Sequence, residues 1–344
     1  MKLSVVIPVY KAENCLRELH ARMAAMFDRM AEPTGFELVL VEDCGGDRSW
    51  QIIREIAAAD PRVVGVKLSR NFGQHRAISA GLDVCTGDWV VVMDCDLQDP
   101  PEEIPRLWEE AQAGYDVVNA RRGRRGDTLW RRFSSRTFHL LLEYLSGLKY
   151  DPEVANFRIM SRTVVDAFRS MPESRRLLGA QIQWLGFPTS SIAVAHAPRF
   201  AGRSSYSLAK LVGLATDAIV TYSNKPLRLS IGFGALFVLL SIVASTWIFI
   251  RAAFWGIPVE GWASLMVSFW FLGGAIMANL GVIGLYLGYV FDECKRRPVY
   301  VIAQRTDRRQ PSRGGAGTVE PEGHDALCDS NSPHEYASEV DLQP

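Results

Sequence analysis

Asp94 and Asp96 stand one residue apart at the end of the run DWVVVMDCDLQDPPE, with Gln98 and Asp99 close behind. A stretch rich in β-branched residues reads as a buried strand, and buried strands do not usually finish in a cluster of carboxylates. Two carboxylates at i and i+2, where a chain leaves a sheet, can converge on a hard divalent cation. Mg²⁺ or Mn²⁺ with oxygen ligands commonly bridges phosphates, so a diphosphate-bearing donor fits this chemistry. A second acidic pair, Glu42-Asp43, and the arginine-rich stretch RRGRRGDTLWRR accompany the first. His75 has no second histidine or cysteine at ligand spacing and reads as a hydrogen-bonding residue rather than a metal ligand.

The elements that must position these groups follow from hydrophobic period. Leu3 to Val9, Phe36 to Val41, Val63 to Leu68, Trp89 to Met93 and Tyr115 to Asn119 read as strands, while Glu13 to Met30, Ser49 to Ala59, Gln74 to Val84 and Glu102 to Ala113 have helical spacing. This alternation, with nearly continuous apolar strands, predicts an α/β domain built on a mostly parallel sheet covered on both faces. Ligands of such sheets bind at the carboxyl ends of the strands. Polar clusters follow each predicted strand there: Pro8-Val9-Tyr10, Glu42-Asp43, Ser69-Arg70-Asn71, Asp94 to Asp99 and Arg121-Arg122. A dinucleotide fold is disfavoured because PVYKAEN, not GxGxxG, follows the first strand, and no GxxxxGK[ST] P-loop occurs.

The chain of 344 residues has formal net charge zero and 48% hydrophobic residues, so an overall basic attraction to nucleic acid is not indicated. Its six cysteines are scattered, without a CxxC pair or a compact disulfide framework. MKLSVVIPVY is a short β-rich run unlike a secretory signal. Leu229 to Ile250 and Gly261 to Phe291 carry no charge, and each meets the roughly 20 residues that a bilayer helix needs. Lys225 and Arg228 before the pair, and Lys295, Arg296 and Arg297 after it, outnumber Arg251 in the link, which places both outer ends in the cytoplasm. The expected organisation is a cytosolic domain over 1–203, an interfacial amphipathic region over 204–226, transmembrane helices over 227–251 and 262–292, a juxtamembrane segment over 293–304 and a disordered tail over 305–344. That makes a multi-pass protein of the cell (inner) membrane, in contact with the lipid bilayer, with the catalytic domain and both termini cytoplasmic.

SVVIPVY, VEDCGGDRSW, LSRNFGQHRAISAGLD, GDWVVVMDCDLQDPPEEIP, GYDVVNARR, NFRIMSR and RFAGRSSYS occur in the order seen in family 2 glycosyltransferases of the GT-A fold. With the apolar hairpin, the chain resembles the polyprenyl-phosphate branch of that family over roughly residues 3 to 300. The resemblance implies a GT-A catalytic domain with Pro8, Tyr10, Glu42 and Asp43 around the base and ribose of a nucleotide, most often uridine. It implies Asp94, Asp96 and Gln98 as ligands of Mg²⁺ or Mn²⁺. Arg121, Arg131, Ser135 and Arg136 match positions near the acceptor or donor phosphates, and Arg199 matches a phosphate-contacting arginine. The implied partners are a nucleotide sugar, a polyprenyl (undecaprenyl) phosphate and further copies of the chain, since relatives form tetramers. The implied reaction is a single inverting displacement.

One departure bears on mechanism. Many relatives carry Gly-Asp before Phe-Arg and that aspartate has been assigned as base, but here the chain reads Val154-Ala155-Asn156-Phe157-Arg158. An amide takes up no proton at neutral pH, so Asn156 is expected to position substrate instead. Two other readings share the fold. A processive polysaccharide synthase is disfavoured because Gln181-Ile182-Gln183-Trp184 lacks the arginine of a Gln-x-x-Arg-Trp motif. A catalytically inactive nucleotide-sugar-binding scaffold or flippase subunit is disfavoured by the intact Asp94 and Asp96.

Overall fold

A computed structural model of the protein describes residues 1–122, 143–144, 154–195, 223–255 and 261–307. The chain divides into two units, one formed by 1–126, 151–204 and 297–344 and the other by 127–150 and 205–296.

The first unit is a sheet of eight strands: β1 (Lys2–Val9), β2 (Gly35–Glu42), β3 (Val63–Leu68), β4 (Trp89–Val92), β5 (Val117–Arg122), β6 (Val154–Ser161), β7 (Thr189–Val194) and β8 (Ile302–Arg305). Its helices are α1 (Leu16–Arg29), α2 (Ser49–Ala59), α3 (Gln74–Val84), α4 (Ile104–Gln112, entered through a 3₁₀ turn over Pro101–Glu103), α5 (Arg162–Ser170) and α6 (Leu178–Leu185). The strand order is β7-β5-β6-β4-β1-β2-β3-β8. Strands β4, β1, β2 and β3 run parallel, as does the pair β5 and β7, whereas β6 is antiparallel to both its neighbours and β8 is antiparallel to β3. The expected parallel core is therefore present, but the sheet as a whole is mixed.

Successive strand residues point to opposite faces, and both faces are filled. Leu3, Val5 and Ile7 pack with Leu16, Leu19, Ile53 and Leu107 on one side. Val6, Val39 and Val41 pack with Ala77, Ile78, Val165 and Ile182 on the other. Helix α3 lies against the second face so closely that a Cβ on Gly81 would come within 2.3 Å of Val6 Cγ1. This approach seats α3 directly on β1 and β2.

Two expectations are corrected. Strand β5 starts and ends later than Tyr115 to Asn119, so Arg121 and Arg122 belong to the strand and do not follow it. The predicted tail also starts too early. Arg305 pairs with Val66 in the sheet, the Gly65 amide donates to Thr306 Oγ1 at 2.8 Å, and Arg305 makes two hydrogen bonds to Asp307. Low apolar content suggested disorder, but edge pairing draws on backbone groups that composition does not report. Residues 308–344 lie outside the described residues. Among the described residues, Cys15, Cys85, Cys95 and Cys294 keep free thiols.

The second unit contains α7 (Lys225–Trp255) and α8 (Trp262–Cys294). Both expected spans are thus helical, and Phe237 meets Phe271 edge-on at 5.4 Å between centroids. The Tyr286 hydroxyl donates to the Ser223 carbonyl at 2.6 Å, and Lys225 sits over the ring of Tyr144. Ile231, Trp247, Phe269 and Trp270 are exposed, an all-round apolar surface foreign to water-facing helices. Among the described residues, Ser268–Cys294 is long and apolar enough to cross a membrane, with mean hydropathy 1.7. The expected amphipathic region over 204–226 is described only from Ser223 onward.

A methyl at position 81 has no room unless α3 lifts. Gly81→Ala is expected to cost about 1–3 kcal/mol, read as a lower Tm of the detergent-purified protein, with an unchanged Tm contradicting the packing.

Candidate active site

Strand register brings the predicted site residues to one edge. Val9 pairs with Glu42, and Glu42 with Lys67. Further along, Val6 pairs with Val92, Val92 with Arg158, and Arg158 with Asn119. Asp94 and Arg121 each follow two residues beyond that second row. Asn156 also reaches the edge, because β6 runs the opposite way. Pro8, Tyr10, Glu42, Asp43, Asp94, Asp96, Gln98, Arg121 and Asn156 therefore share the carboxyl edge of the central strands. Tyr10 and Arg121 are exposed there, and Asp94, Asp96, Gln98 and Asn156 are half-buried.

Glu42 and Asp43 are buried at the end of β2. Asp43 accepts from the Phe72 amide at 2.7 Å and the Gly73 amide at 2.8 Å, which ties the turn before α3 to β2. Burial raises its carboxyl to about 6, against the lowering effect of those amides and of the Arg76 and Arg70 charges. Glu42 Oε1 accepts from the Gly45 amide at 2.6 Å. Glu42 Oε2 is sealed from solvent with no hydrogen-bond partner, and burial pushes this carboxyl above its ordinary range. The loops after β1 and β2 are fastened together as well, through Ala12 N to Ser49 Oγ at 3.1 Å and Glu13 N to Asp47 Oδ2 at 3.2 Å.

The turn held by Asp43 delivers Gln74, whose Nε2 donates to Asp94 Oδ1 at 2.6 Å. After Asp96 the chain bends through Leu97 in a left-handed conformation, φ 58°. The Gln98 amide then returns a hydrogen bond to Asp96 Oδ1 at 3.2 Å. Among the described residues no three His, Cys, Asp or Glu side chains gather into a closed metal cage. Two carboxylates with the Gln98 amide oxygen nearby suit a cation such as Mg²⁺ or Mn²⁺, which keeps several ligands for water and substrate phosphate. The donor set thus fits the group that the sequence suggested.

Comparison with known proteins decides the family. Residues 4–169 match the model of glycosyl transferase family 2. The bactoprenol glucosyl transferase of Shigella phage SfX is 37% identical over 306 residues, which cover 89% of this chain and 100% of that protein. This chain belongs to glycosyl transferase family 2. An undecaprenyl-phosphate 4-deoxy-4-formamido-L-arabinose transferase of Pseudomonas fluorescens is 38% identical over 309 residues, covering 87% of this chain and 88% of that protein. The glycosyltransferase is also 35% identical over 304 residues to an uncharacterized glycosyltransferase, sll0501, of Synechocystis sp., covering 88% and 95% of the two chains. Its sheet unit has the GT-A architecture, with Glu42-Asp43 and Asp94-Asp96 at one strand edge.

Arg131, Ser135, Arg136 and Arg199 lie outside the described residues. Gln74 carries no signal of a site role in the sequence beyond being the first residue of a predicted helix; the structure places it beside the Phe72-Gly73 pair that Asp43 clamps. Arg158 was also missed. A lone arginine inside an apolar run looks like an exposed strand residue, yet it is buried, and burial lowers its pKa to about 10. His75 lies near it, and desolvation together with the Arg158 charge brings the imidazole down to about 4, so it is neutral at pH 7.

Asp43 supplies a pH test. Its folded pKa exceeds the ordinary aspartate value of about 3.9, so the folded state binds the proton more tightly. The stability this group contributes is fully present below about pH 4 and is lost as pH rises through about 6. The Tm of wild type minus that of Asp43→Asn should therefore fall between about pH 4 and 6.5 and level off above; a flat difference would mean that this carboxyl titrates normally.

Proposed function

We propose that this glycosyltransferase is a multi-pass membrane enzyme that moves one sugar from a nucleotide-sugar donor, a UDP-sugar, to a polyprenyl phosphate at the cytoplasmic face. The observation that carries the reading is the length of its similarity to the bactoprenol and undecaprenyl-phosphate enzymes. An alignment of 306 residues leaves at most 38 of the 344 uncovered (344 − 306), fewer than residues 225–294 alone contain. The likeness therefore runs through the apolar helices as well as the sheet unit. Two spans also accord with the path of the chain, because β8 follows α8 and pairs with β3 in the unit that the chain left before α7. An even number of crossings returns a chain to the side it started from.

In this reading Glu42 and Asp43 face the nucleoside, and the unpartnered Glu42 Oε2 takes a hydrogen bond from a ribose hydroxyl or a base N–H. Asp94, Asp96 and Gln98 would hold a divalent cation, which when bound would supply positive charge beside the leaving diphosphate. Gln74 fixes the orientation of Asp94. Arg121, exposed at the same edge, attracts phosphate, and Arg131, Ser135, Arg136 and Arg199 would add to that attraction.

A lipid phosphate oxygen bonds to the anomeric carbon as the carbon–oxygen bond to the nucleoside diphosphate breaks on the opposite face, which inverts configuration. No proton has to be removed from the nucleophile. The second pKa of a phosphate monoester is about 6, so the attacking group is already mostly a dianion at pH 7. This accounts for an amide at position 156: Asn156 orients substrate at the edge, on a strand where its backbone carbonyl accepts from Arg158 Nε at 3.3 Å.

Purified protein incubated with Mn²⁺, undecaprenyl phosphate and a panel of nucleotide sugars should give a lipid product of one added sugar by mass spectrometry. If a sugar nucleotide binds while no donor yields a glycolipid, the transferase reading fails. Asp96→Ala should abolish turnover, whereas Asn156→Ala should slow it by roughly tenfold, as loss of one positioning contact does. Equal and complete loss at both positions would return a base-like role to Asn156.

A further inference from the structure

Buried polar atoms in folded proteins nearly always have partners, and each exception calls for an explanation. Among the described residues six sealed side-chain atoms lack one: Glu42 Oε2, His75 Nδ1, Asn119 Oδ1, Arg176 Nε, and both Nε2 and Oε1 of Gln181. Three of these residues, His75, Asn119 and Gln181, lie on one face of the sheet. Asn119 pairs with Arg158 in the β5–β6 ladder. By strand alternation both side chains share the face of Val117 and Met160, which pack with Ala77 and Ile78 of α3 and with Leu178 and Ile182 of α6. Gln181 belongs to α6 and is 1% exposed. On the same helix, a Cβ at Gly179 would stand 3.6 Å from Arg158 Nη2, so α6 reaches the guanidinium. His75, at the start of α3, feels the Arg158 charge.

The chemistry of these groups points to one kind of ligand. Each amide can donate and accept, and a neutral imidazole does both. Groups of this type pair with hydroxyls, which also do both. A phosphate brings acceptors alone and would leave the amide oxygens without donors, while an apolar group would satisfy none of them. Location adds the second half of the argument. His75 follows Gln74, the donor to Asp94, and Arg158 pairs with Val92, two residues before Asp94. A group attached to a diphosphate held at Asp94 and Asp96 would therefore meet the β4–β6 end of this face.

We infer that Gln181, with Asn119 and His75, forms the hydroxyl-reading wall for the donor sugar, making Gln181 a determinant of which sugar is accepted. The inference rests on the nucleotide-sugar reading of the site. Losing a buried amide built to pair with a hydroxyl penalises the ligand that carries the hydroxyl and spares the one that lacks it.

Titration calorimetry of the full-length, detergent-purified protein with Mn²⁺ tests this, using UDP, UDP-glucose, UDP-galactose and UDP-N-acetylglucosamine as probes. Wild type should bind at least one UDP-sugar more tightly than UDP. Gln181→Leu should reduce that preference by about tenfold while the Kd for UDP stays within about twofold, and Asn119→Ser should act in the same direction. UDP binding is the check on folding; if Gln181→Leu loses it, Asn119→Ser decides by the same criterion. A preference unchanged in the variants, or absent from wild type, overturns the inference and leaves the cluster to internal water. Failure of wild type to bind UDP or any UDP-sugar overturns the uridine-donor reading itself, and this inference with it.

Discussion

Asp43 commits its buried carboxylate to two backbone amides, and the edge of the sheet depends on that bond pair. The Phe72 and Gly73 amides belong to the turn that starts α3, so the carboxylate sets where the helix begins. Gln74, the first residue of the helix, then meets Asp94. A continuous set of contacts thus runs from the end of β2, through the turn, to the end of β4, and joins Asp43 to Asp94. Gly81 completes the arrangement from below, because its missing side chain lets α3 rest on Val6. Holding a carboxylate in so buried a place costs free energy, which is why its proton affinity rises, and the amides offset only part of that cost.

The same edge is also where the fold leaves hydrogen-bonding capacity unused. Away from it, the buried Glu37 is well served: it accepts from Ser4 Oγ, Lys2 Nζ and the Thr86 amide and hydroxyl. Glu42 at the edge, and His75, Asn119 and Gln181 on one face of the sheet, keep sealed atoms with no partner. A folded chain tolerates such atoms where a bound molecule completes them, and a glycosyltransferase has two molecules rich in hydroxyls and phosphates to accommodate.

Much of this was legible in the sequence, for identifiable reasons. Strand β3 and helices α2 and α3 have the expected bounds because their period is uninterrupted and Gly, Pro or Asp residues flank them. The carboxylates at 94 and 96 announced themselves because charged groups after an apolar run have few structural uses. Strands β6, β7 and β8 were not anticipated. TSSIAV has little apolar alternation, and its residues are mostly exposed or half-buried on the outermost strand. IAQR pairs with β3, more than two hundred residues away in sequence, so no local pattern marks it. The buried roles of Arg158 and Gln181 were invisible for a related reason: a polar residue in an amphipathic stretch reads as solvent-facing until the second layer of packing is known.

The sequence by itself determined the alternation of strands and helices, the acidic ends of the second and fourth strands, the apolar pair of helices and the family to which the chain belongs. These are properties of short windows and of ordered motifs, which hydrophobic period and residue chemistry encode directly. Tertiary structure alone decided how these residues meet: that Gln74 orients Asp94, that Asp43 clamps the turn before α3, that residues 302–305 close the sheet, and that Asn119 Oδ1 and the Gln181 amide are sealed without partners. Those facts depend on strand register and on which helix covers which face, and register is set by contacts between residues far apart in the chain.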